Sequence, residues 1–393
     1  MSDALCPKNN QEVLEAVAWA AAEETPLEII GHGTKRALGR PTQTAHTLDL
    51  SALSGITLFE PEELVLSAKA ATPLKDIQKV LKKHKQEFQF EPADLGPLLG
   101  LKAGEGTLGG LINTNYCGAR RLKSGSARDH ILGIHAVSGR GEEFKSGGRV
   151  VKNVTGYDLS KGVTGSYGTL AVLTDITMKV LPVSETEQTL VLIGLSDAEA
   201  SEAMAKAMGS SAEVSGAAHL PAGVSDEKAM TILRLEGFKP SVEYRIENLG
   251  KLLSGFGSEE RLDAKASRKL WKSVTDCAPF VGSDNPVWRI SCTPTEGHRV
   301  GSAIKAKTDV DVFYDWQGGL LWVECKDGEV HASEIRQSVH SNGGGHATLI
   351  RASAAQRLET PVFEPQTGGM AALSNRYREN FDPKGILNPG RMV

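Results

Sequence analysis

The chain has 393 residues, which is long enough for two or three domains that each bury their own core. Its formal net charge of −4, with acidic and basic residues interspersed, argues against a nucleic-acid groove or a polybasic membrane surface, so small molecules and proteins are the expected partners. The five cysteines are widely spaced without a C-x-x-C pair, and they predict neither a disulfide framework nor a zinc or iron–sulfur site in a reduced, cytoplasmic protein.

The first quarter of the chain has the pattern of a small α+β unit. Apolar residues at helical spacing predict a first helix that is capped by Asn10 and ended by Pro26. A strand from Leu27 to Ile30 then leads directly into the glycine-containing segment GHGTKRALGR. Short strands and a further helix follow, and we expect this unit to span residues 1–94.

Residues 95–182 form a second predicted α+β unit, in which glycine turns separate short strands. Gly104, Gly106 and Gly109 match the spacing G-x-G-x-x-G, and Asp129 lies 20 residues after the last of them. A Rossmann nucleotide site is nevertheless not predicted. That motif needs a clean strand before it and a long helix after it, whereas Gly118 interrupts the following segment after about two turns.

Glycine is concentrated in three segments that each adjoin a predicted strand. The first, IIGHGTKRALG, could present backbone N–H groups to an anion, or it could be a plain tight turn. The second, AGEGTLGGLINTN, favours the former because it would bring more bare backbone, with Thr107 and Asn113, beside a flat or phosphorylated ligand. The third, GSYGTLAVLTD, lets backbone approach a purine edge without an intervening Cβ. Together they predict one extended dinucleotide-binding surface.

After Pro182 the predicted strands and helices follow a βαββα-like order that occurs twice. This order indicates two ferredoxin-like halves that share one large antiparallel sheet. Ser196 and Glu199 form a capping box for the first helix of this part. A helix is also expected across residues 258–274. We expect a cap domain at 183–360 and a C-terminal segment, 361–393, that docks on the preceding units.

Four segments resemble one known family: GTLGGLINTNYCGARRLKSGSARDHILGIHAVSGRGE, VVKNVTGYDLSKGVTGSYGTLAVLTDITMKVLP, GGHATLIRA and FDPKGILNPGRM. They resemble the vanillyl-alcohol-oxidase or PCMH type of FAD oxidoreductases and, more narrowly, the smaller FAD-binding subunit of bacterial glycolate oxidase. The resemblance implies an α+β chain with a two-subdomain PCMH-type FAD-binding domain at 1–182, followed by the ferredoxin-like cap.

The resemblance also implies which residues hold FAD. Gly33 stands where some relatives carry a histidine that tethers the flavin, so noncovalent FAD is expected. The implied residues are Gly31, His32, Gly33, Thr34 and Lys35 in a pyrophosphate loop, Gly106, Thr107, Gly109, Gly110 and Asn113 along the flavin, Arg128 and Asp129 as a brace, and Val172 at the adenine.

A 2-hydroxy acid would require an arginine for its carboxylate and a base for its hydroxyl proton. The candidates are His346, Arg289, Arg351 and Tyr157, although a structural role for His346 is an equal alternative. His346 and Arg351 lie five positions apart on one predicted strand, so they should face opposite ways unless a bulge intervenes. No metal site is predicted.

The resemblance implies a subunit of a glycolate-oxidising complex, together with a second FAD-containing subunit and an iron–sulfur subunit that accepts electrons. A stand-alone FAD-dependent 2-hydroxy-acid or alditol dehydrogenase and a non-catalytic structural flavoprotein subunit remain alternatives. No apolar run reaches the roughly 18 residues of a membrane span. We therefore expect a cytoplasmic protein without nucleic-acid partners, whose only contact with the inner membrane would be peripheral and through its complex.

Overall fold

The computed structural model describes residues 3–150 and 156–392. The strands of the N-terminal part are β1 (Asp3–Leu5), β2 (Leu27–Ile30), β3 (His46–Asp49), β4 (Ile56–Glu60), β5 (Val65–Lys69), β6 (Gln86–Glu87), β7 (Ile131–Ser138), β8 (Glu143–Gly147), β9 (Ala171–Lys179) and β10 (Leu181–Pro182). Its helices are α1 (Asn10–Ala22), α2 (Leu74–Lys83), α3 (Leu108–Thr114), α4 (Arg121–Ser124), α5 (Ala127–His130) and α6 (Leu159–Val163).

These elements build two main sheets. Strands β1, β3 and β2 form a parallel sheet in that order, and β4, β5, β9, β7 and β8 form an antiparallel one. Helix α1 buries Val13 and Val17 in a core that Leu27, of β2, also joins. Its N-cap is Asn9, whose side chain accepts the Glu12 N–H, so the prediction of Asn10 as the cap was wrong by one residue.

The C-terminal part contains strands β11 (Thr186–Ile193), β12 (Gly216–Leu220), β13 (Met230–Gly237), β14 (Ser258–Leu262), β15 (Val287–Cys292), β16 (Val310–Asp315), β17 (Leu320–Cys325) and β18 (Gly345–Arg351). Its helices are α7 (Asp197–Met208), α8 (Lys239–Leu253), α9 (Ala264–Thr275), α10 (Gly297–Lys305), α11 (Ala332–Ser341), α12 (Ala354–Glu359) and α13 (Gly368–Phe381).

Strands β11 to β18 form one antiparallel sheet of eight strands, in the order β14-β11-β13-β12-β16-β17-β15-β18. Each set of four strands carries two helices in the order βαββαβ, which is the ferredoxin-like arrangement. The two sets join where β12 pairs with β16, at His219 and Tyr314. The predicted pair of ferredoxin-like halves in one large sheet is confirmed, and so is the capping box of Ser196 and Glu199.

The helix predicted across 258–274 was wrong in its first part. Residues Ser258–Leu262 form β14, the edge strand that pairs with β11. Helix α9 begins only at Ala264, because the Asp263 side chain accepts the N–H of Ala266 and caps it. The sequence SEERL has no strand pattern of its own, and pairing with β11 overrides its local preference.

The two faces of the eight-stranded sheet have different partners. Helices α7 and α8 cover one face of the first half, and α10 and α11 cover the same side of the second. The opposite face contributes Phe313 and Trp322 to a core that also contains Leu111 and Ile112 of α3. Strands β15 and β18 therefore turn one face towards the N-terminal part. Because the core is continuous here, the boundary predicted at residue 182 stays a prediction.

Candidate functional site

A cavity lies between the loop that follows β2, the start of α3 and the C-terminal segment. The lining residues are Ile29, Ile30, Gly31, His32, Gly33, Thr34, Lys35, Arg36, Leu50, Ala70, Ala71, Thr107, Gly109, Gly110, Asn113, Thr114, Tyr167, Gly168, Leu173, Asn388 and Arg391.

Glycines allow the walls of this cavity to come close to each other. A Cβ added at Gly31 would lie 3.0 Å from the Thr107 hydroxyl oxygen, and one at Gly109 would lie 3.0 Å from the Ala70 carbonyl oxygen. Gly33 has a φ of +70°, which is the left-handed conformation that favours glycine. Glycine thus lets the main chain approach closely here. Because the N–H groups of Gly109 and Gly110 already donate to the Ala70 carbonyl oxygen and the Thr107 hydroxyl, an anionic ligand would use those of the loop that begins at Gly31.

Lys35 brings a positive charge to the same place. Its Nζ lies 3.4 Å from where a Cβ of Gly110 would be and 3.6 Å from where a Cβ of Gly106 would be. Burial lowers the pKa of the Lys35 ammonium group, and the negative charge of Asp94 opposes this shift only in part. No ion pair forms at Lys35 within residues 3–150 and 156–392. A bound diphosphate would supply the counter-charge that this buried ammonium group needs.

The C-terminal segment closes the cavity through Asn388, which is almost fully buried. Its side-chain oxygen accepts the N–H of Ile29 at 2.9 Å, and its side-chain nitrogen donates to the carbonyl oxygens of Tyr167 and Gly168 at 3.0 and 3.3 Å. One side chain therefore holds β2 and the loop before β9 together on opposite sides of the cavity.

The residues predicted to hold the cofactor fall into two groups. Those that line the cavity are Gly31, His32, Gly33, Thr34, Lys35, Thr107, Gly109, Gly110 and Asn113. Gly106 adjoins it, since the position of its missing Cβ is close to Lys35. The Nδ1 atom of His32 lies 3.1 Å from the Glu105 carbonyl oxygen, and a noncovalent cofactor at this loop stays a prediction.

Arg128, Asp129 and Val172 are not among the lining residues. Asp129 caps α5 by accepting from the backbone and hydroxyl groups of Ser126, and the Arg128 N–H donates to the side chain of Asn115 at the end of α3. The pair therefore supports α3 from outside the cavity. Val172 is fully buried in β9, and its neighbour Leu173 is the residue that lines the cavity.

Sequence reasoning missed the contributions of Tyr167, Asn388 and Arg391 to this cavity. A signal existed for each of them. Tyr167 stands between two glycines in GSYG and has a φ of 55°, and the other two belong to the resembling segment ILNPGRM. The sequence predicted that the C-terminal segment docks back on the N-terminal part, but it did not indicate which of its residues reach β2 and the cavity.

Two comparisons identify the cofactor and the family. A family described as "FAD binding domain" matches residues 3–147. The chain is 33% identical to the Glycolate oxidase subunit GlcE of Escherichia coli (strain K12) over 386 residues, which cover 98% of this chain and 97% of the relative. The chain belongs to the GlcE family. It is an FAD-dependent oxidoreductase, and FAD is the cofactor that the glycine-walled cavity and Lys35 fit.

Two less similar proteins are consistent with this family and this fold. The chain is 27% identical to the Glycolate oxidase subunit GlcD of Bacillus subtilis (strain 168) over 441 residues, covering 100% of this chain and 89% of that relative. A 4-ethylphenol oxidase from Gulosibacter chungangensis superposes with a TM-score of 0.71 at 13% identity, over 99% of this chain and 88% of that one. At that identity the superposition shows the fold alone, and it confirms the predicted fold class.

Arg351, one of the predicted catalytic residues of this GlcE-family chain, is a structural link. All five of its N–H groups donate to partners within 3.1 Å: the carbonyl oxygens of Asn285, Leu98 and Phe280, the Ser283 hydroxyl and Glu324. No donor remains for a substrate carboxylate. The register of β15 against β18 shifts between Val287 and Trp288, so the bulge that could turn Arg351 towards the N-terminal part is present.

Tyr157, another predicted catalytic residue, is a surface side chain. Its side chain is 91% exposed, immediately before Asp158, which caps α6. It is absent from the residues that line the cavity. The preceding part of the resembling motif, residues 152–155, lies outside the described residues. No described contact therefore links Tyr157 to the cofactor site.

Arg289 and His346 lie on the face of the sheet that points to the N-terminal part. Arg289 pairs with Thr348 and His346 with Ser291, so the two side chains share one face of adjacent strands. Although the His346 side chain is exposed, its partial desolvation and then the positive charge of Arg289 lower its pKa, which keeps the imidazole neutral near pH 7. These are the two catalytic candidates that the structure brings together.

Two tyrosines connect this face with the cavity. The Arg289 guanidinium carbon lies 5.4 Å from the ring centre of Tyr116, and the Tyr116 hydroxyl hydrogen-bonds that of Tyr167, which lines the cavity. Burial raises the pKa of both phenols, although Arg289 opposes the shift. Both hydroxyls therefore stay protonated at neutral pH and can act as hydrogen-bond donors.

Two further properties bear on partners and ligands. Within the described part of the chain, no group of three or more histidine, cysteine, aspartate or glutamate residues could hold a metal ion. Of the helices that the structure describes, none has the length and apolar character needed to traverse a lipid bilayer.

Proposed function

We propose that this chain is the FAD-binding subunit of a complex that oxidises glycolate or a related 2-hydroxy acid to the 2-oxo acid. The observation that supports it best is the placement of Arg289 and His346, next to Tyr116 and connected through Tyr167 to the FAD cavity. The names of the relatives GlcE and GlcD point in the same direction.

The residues around the cavity have separable tasks. The backbone from Gly31 to Lys35 and the walls at Gly109 and Gly110 would hold FAD, and the Lys35 ammonium group would supply positive charge for its diphosphate. When bound, FAD accepts the two electrons that leave the alcohol carbon of the substrate. Asn388 holds the two sides of the cavity together through its hydrogen bonds to Ile29 and Tyr167.

The substrate is held on the side of Tyr167 where Tyr116 and Arg289 lie. The Arg289 guanidinium binds the substrate carboxylate, and the neutral His346 imidazole accepts the hydroxyl proton. With Tyr167 as the donor in the hydrogen bond between the two tyrosines, the Tyr116 hydroxyl would be free to donate to the substrate between Arg289 and His346.

The electrons leave through a partner. All five cysteines of this chain are free, and no two of them stand in a cluster-binding motif, so an iron–sulfur subunit of the complex takes the electrons and a second FAD-containing subunit completes it. Attachment to the inner membrane would then be a property of the complex. A stand-alone 2-hydroxy-acid or alditol dehydrogenase is the second candidate, favoured by the position of Arg289 and His346 together within this one chain.

Anaerobic flavin reduction tests the proposal. The purified chain with bound FAD is mixed with glycolate, D-lactate, 2-hydroxyglutarate or an alditol, and the flavin absorbance near 450 nm is followed. Loss of this absorbance with a 2-hydroxy acid supports the function, and its slowing in Arg289→Gln and His346→Gln supports the assigned roles. Arg299→Gln is the matched control, because Arg299 forms an exposed pair with Glu296 outside the site.

The competing outcomes are distinct. Reduction by an alditol alone would overturn the assigned substrate class. Persistent absorbance with every substrate, in the isolated chain and in the co-expressed complex, would favour a non-catalytic structural subunit. Reduction of an iron–sulfur partner by glycolate, lost when FAD is absent from this chain, would establish its place in the electron path.

A further inference from the structure

Two arginines lie against the same tryptophan near the proposed substrate position. The guanidinium carbons of Arg121 and Arg289 each lie 4.9 Å from the ring centre of Trp316. Because both distances are measured from one ring, the two carbons are separated by at most twice that distance. Trp316 is a fixed platform, since its side chain is buried and its indole N–H donates to the Gly118 carbonyl oxygen at 3.1 Å.

Neither arginine has a carboxylate partner among the described residues. Within residues 3–150 and 156–392 neither guanidinium forms an ion pair, and Arg121 instead hydrogen-bonds the thiol of Cys117, which is neutral because burial raises its pKa. The preceding residue behaves differently, since Arg120 forms ion pairs with Glu87, Glu91 and Glu236. The carboxylates of Asp129 and Asp315 act on Arg121 and Arg289 respectively only from beyond ion-pair distance, so two positive charges at one tryptophan favour a further anion.

Stacking on the indole leaves the arginines able to bind that anion. A guanidinium group that rests on a ring through its flat face keeps its N–H groups at the edges, where they can donate to a carboxylate. The nearby carboxyl of Asp315 does not occupy them, because it accepts the backbone N–H of Trp316 and is buried. Arg121 itself is exposed, so it lies at the entrance of the site.

His346 connects the pair to the chemistry. Besides partial desolvation, the positive charges of both Arg289 and Arg121 lower its pKa, which places both arginines within electrostatic range of the proposed base. An anion bound between Arg121 and Arg289 would therefore lie next to the group that removes the hydroxyl proton. The two arginines come from different parts of the fold, Arg121 from α4 and Arg289 from β15.

We propose that Arg121 is a second carboxylate-binding residue, and that Arg121 and Arg289, aligned by Trp316, together hold the anionic end of the substrate. This inference rests on the proposed function for the identity of the substrate as a 2-hydroxy acid. It adds a residue from the N-terminal part to a site that sequence reasoning built from the C-terminal part and Tyr157. A bound carboxylate would thus contact both α4 and the eight-stranded sheet.

Calorimetric titration of the holoprotein with oxalate, an unreactive carboxylate, tests the inference without any turnover. Loss of a charge-assisted hydrogen bond corresponds to a roughly 10- to 100-fold weaker Kd. We expect this loss in both Arg121→Gln and Arg289→Gln, a smaller loss in Arg121→Lys, and an unchanged Kd in the surface control Arg299→Gln. Flavin content measured on each variant confirms that the fold is intact.

The results separate this inference from the proposed function. If oxalate binds Arg121→Gln as tightly as wild type, or does not bind wild type at all, the inference is overturned, even where glycolate reduces the flavin. If oxalate binding depends on Arg121 while no hydroxy acid reduces the flavin, the carboxylate site stands and the proposed reaction fails. In a glycolate-oxidising protein, Arg121→Gln should also raise KM about 10- to 100-fold while kcat changes much less.

Discussion

Replacing Arg234 by methionine should destabilise the contact between the two parts of the fold. Arg234 is 1% exposed, and its guanidinium donates to both carboxylate oxygens of Glu91, at 2.6 and 3.0 Å. Although burial alone would raise the pKa of Glu91, the charges of Arg234 and Arg120 hold it below its usual value. The substitution would leave the partly buried Glu91 with Arg120 alone, whose guanidinium lies 3.8 Å away and whose backbone N–H donates to the carboxylate at 2.8 Å.

The expected magnitude follows from this geometry. Removing one partner of a buried ion pair costs about 3–5 kcal/mol, because the remaining charge is uncompensated. The guanidinium also lies 4.7 Å from the ring centre of Trp271, and loss of that cation–π contact costs about 0.5–2 kcal/mol. Since Arg120 still compensates Glu91 in part, we expect a total loss of about 3–5 kcal/mol.

Urea unfolding of the holoprotein at a fixed FAD concentration, followed by tryptophan fluorescence, measures this loss. Arg299→Met, at an exposed ion pair, is the control and should leave the midpoint nearly unchanged. Combining Arg234→Met with Glu91→Leu should recover much of the stability, because the carboxylate that lost its partner is then also removed. A loss below about 1 kcal/mol in the single variant, or no recovery in the double one, would refute the reasoning.

Four further outcomes are expected. Gly110→Val should abolish FAD retention, measured as the ratio of flavin to protein absorbance, because the new side chain would meet the Lys35 ammonium group; Gly368→Val, which faces open space, should not. Lys35→Met should weaken FAD binding about 10- to 100-fold in a fluorescence titration and reduce its dependence on salt. Asn388→Ala should lower the free energy of unfolding by about 1–3 kcal/mol in urea titrations and weaken FAD binding, because it removes three buried hydrogen bonds. Burial raises the pKa of Asp315 from its ordinary value of 3.8 to about 7, so its contribution to stability is complete below the lower value and is lost as the pH rises through the higher one. Asp315→Asn should leave stability nearly unchanged at about pH 4 and raise it by on the order of a few kcal/mol above about pH 8, measured by thermal unfolding across pH.

Structural features that depend on a few neighbouring residues could be predicted from the sequence. Strand β2 has the bounds that its apolar run indicated, and the capping box at Ser196 opens α7 as expected. The rejection of a Rossmann site also agrees with the structure, since α3 has only seven residues. Each of these features depends on side chains within one or two turns, so the local sequence contains all of the information.

Features that depend on distant partners were not predictable. The strand β14 exists because β11 pairs with it, and the sequence SEERL gives no sign of this. Arg351 looked like a substrate arginine until the structure assigned its donors to carbonyl groups as far as 253 residues away. The sequence does not indicate the pair of Arg121 and Arg289 either, because the two residues come from separate parts of the fold and meet only at Trp316.

The sequence by itself determined the glycine loops and the repeated ferredoxin-like order, because backbone sterics and periodicity act over short stretches. FAD as the ligand was implied by the resemblance of four segments to a known family. Only the tertiary structure decided which charges are neutralised. Whether an arginine is a structural link, as Arg351 is, or is available to bind an anion, as we propose for Arg289, depends on acceptors supplied by other strands. That difference is set by packing across the interface between the two parts of the fold.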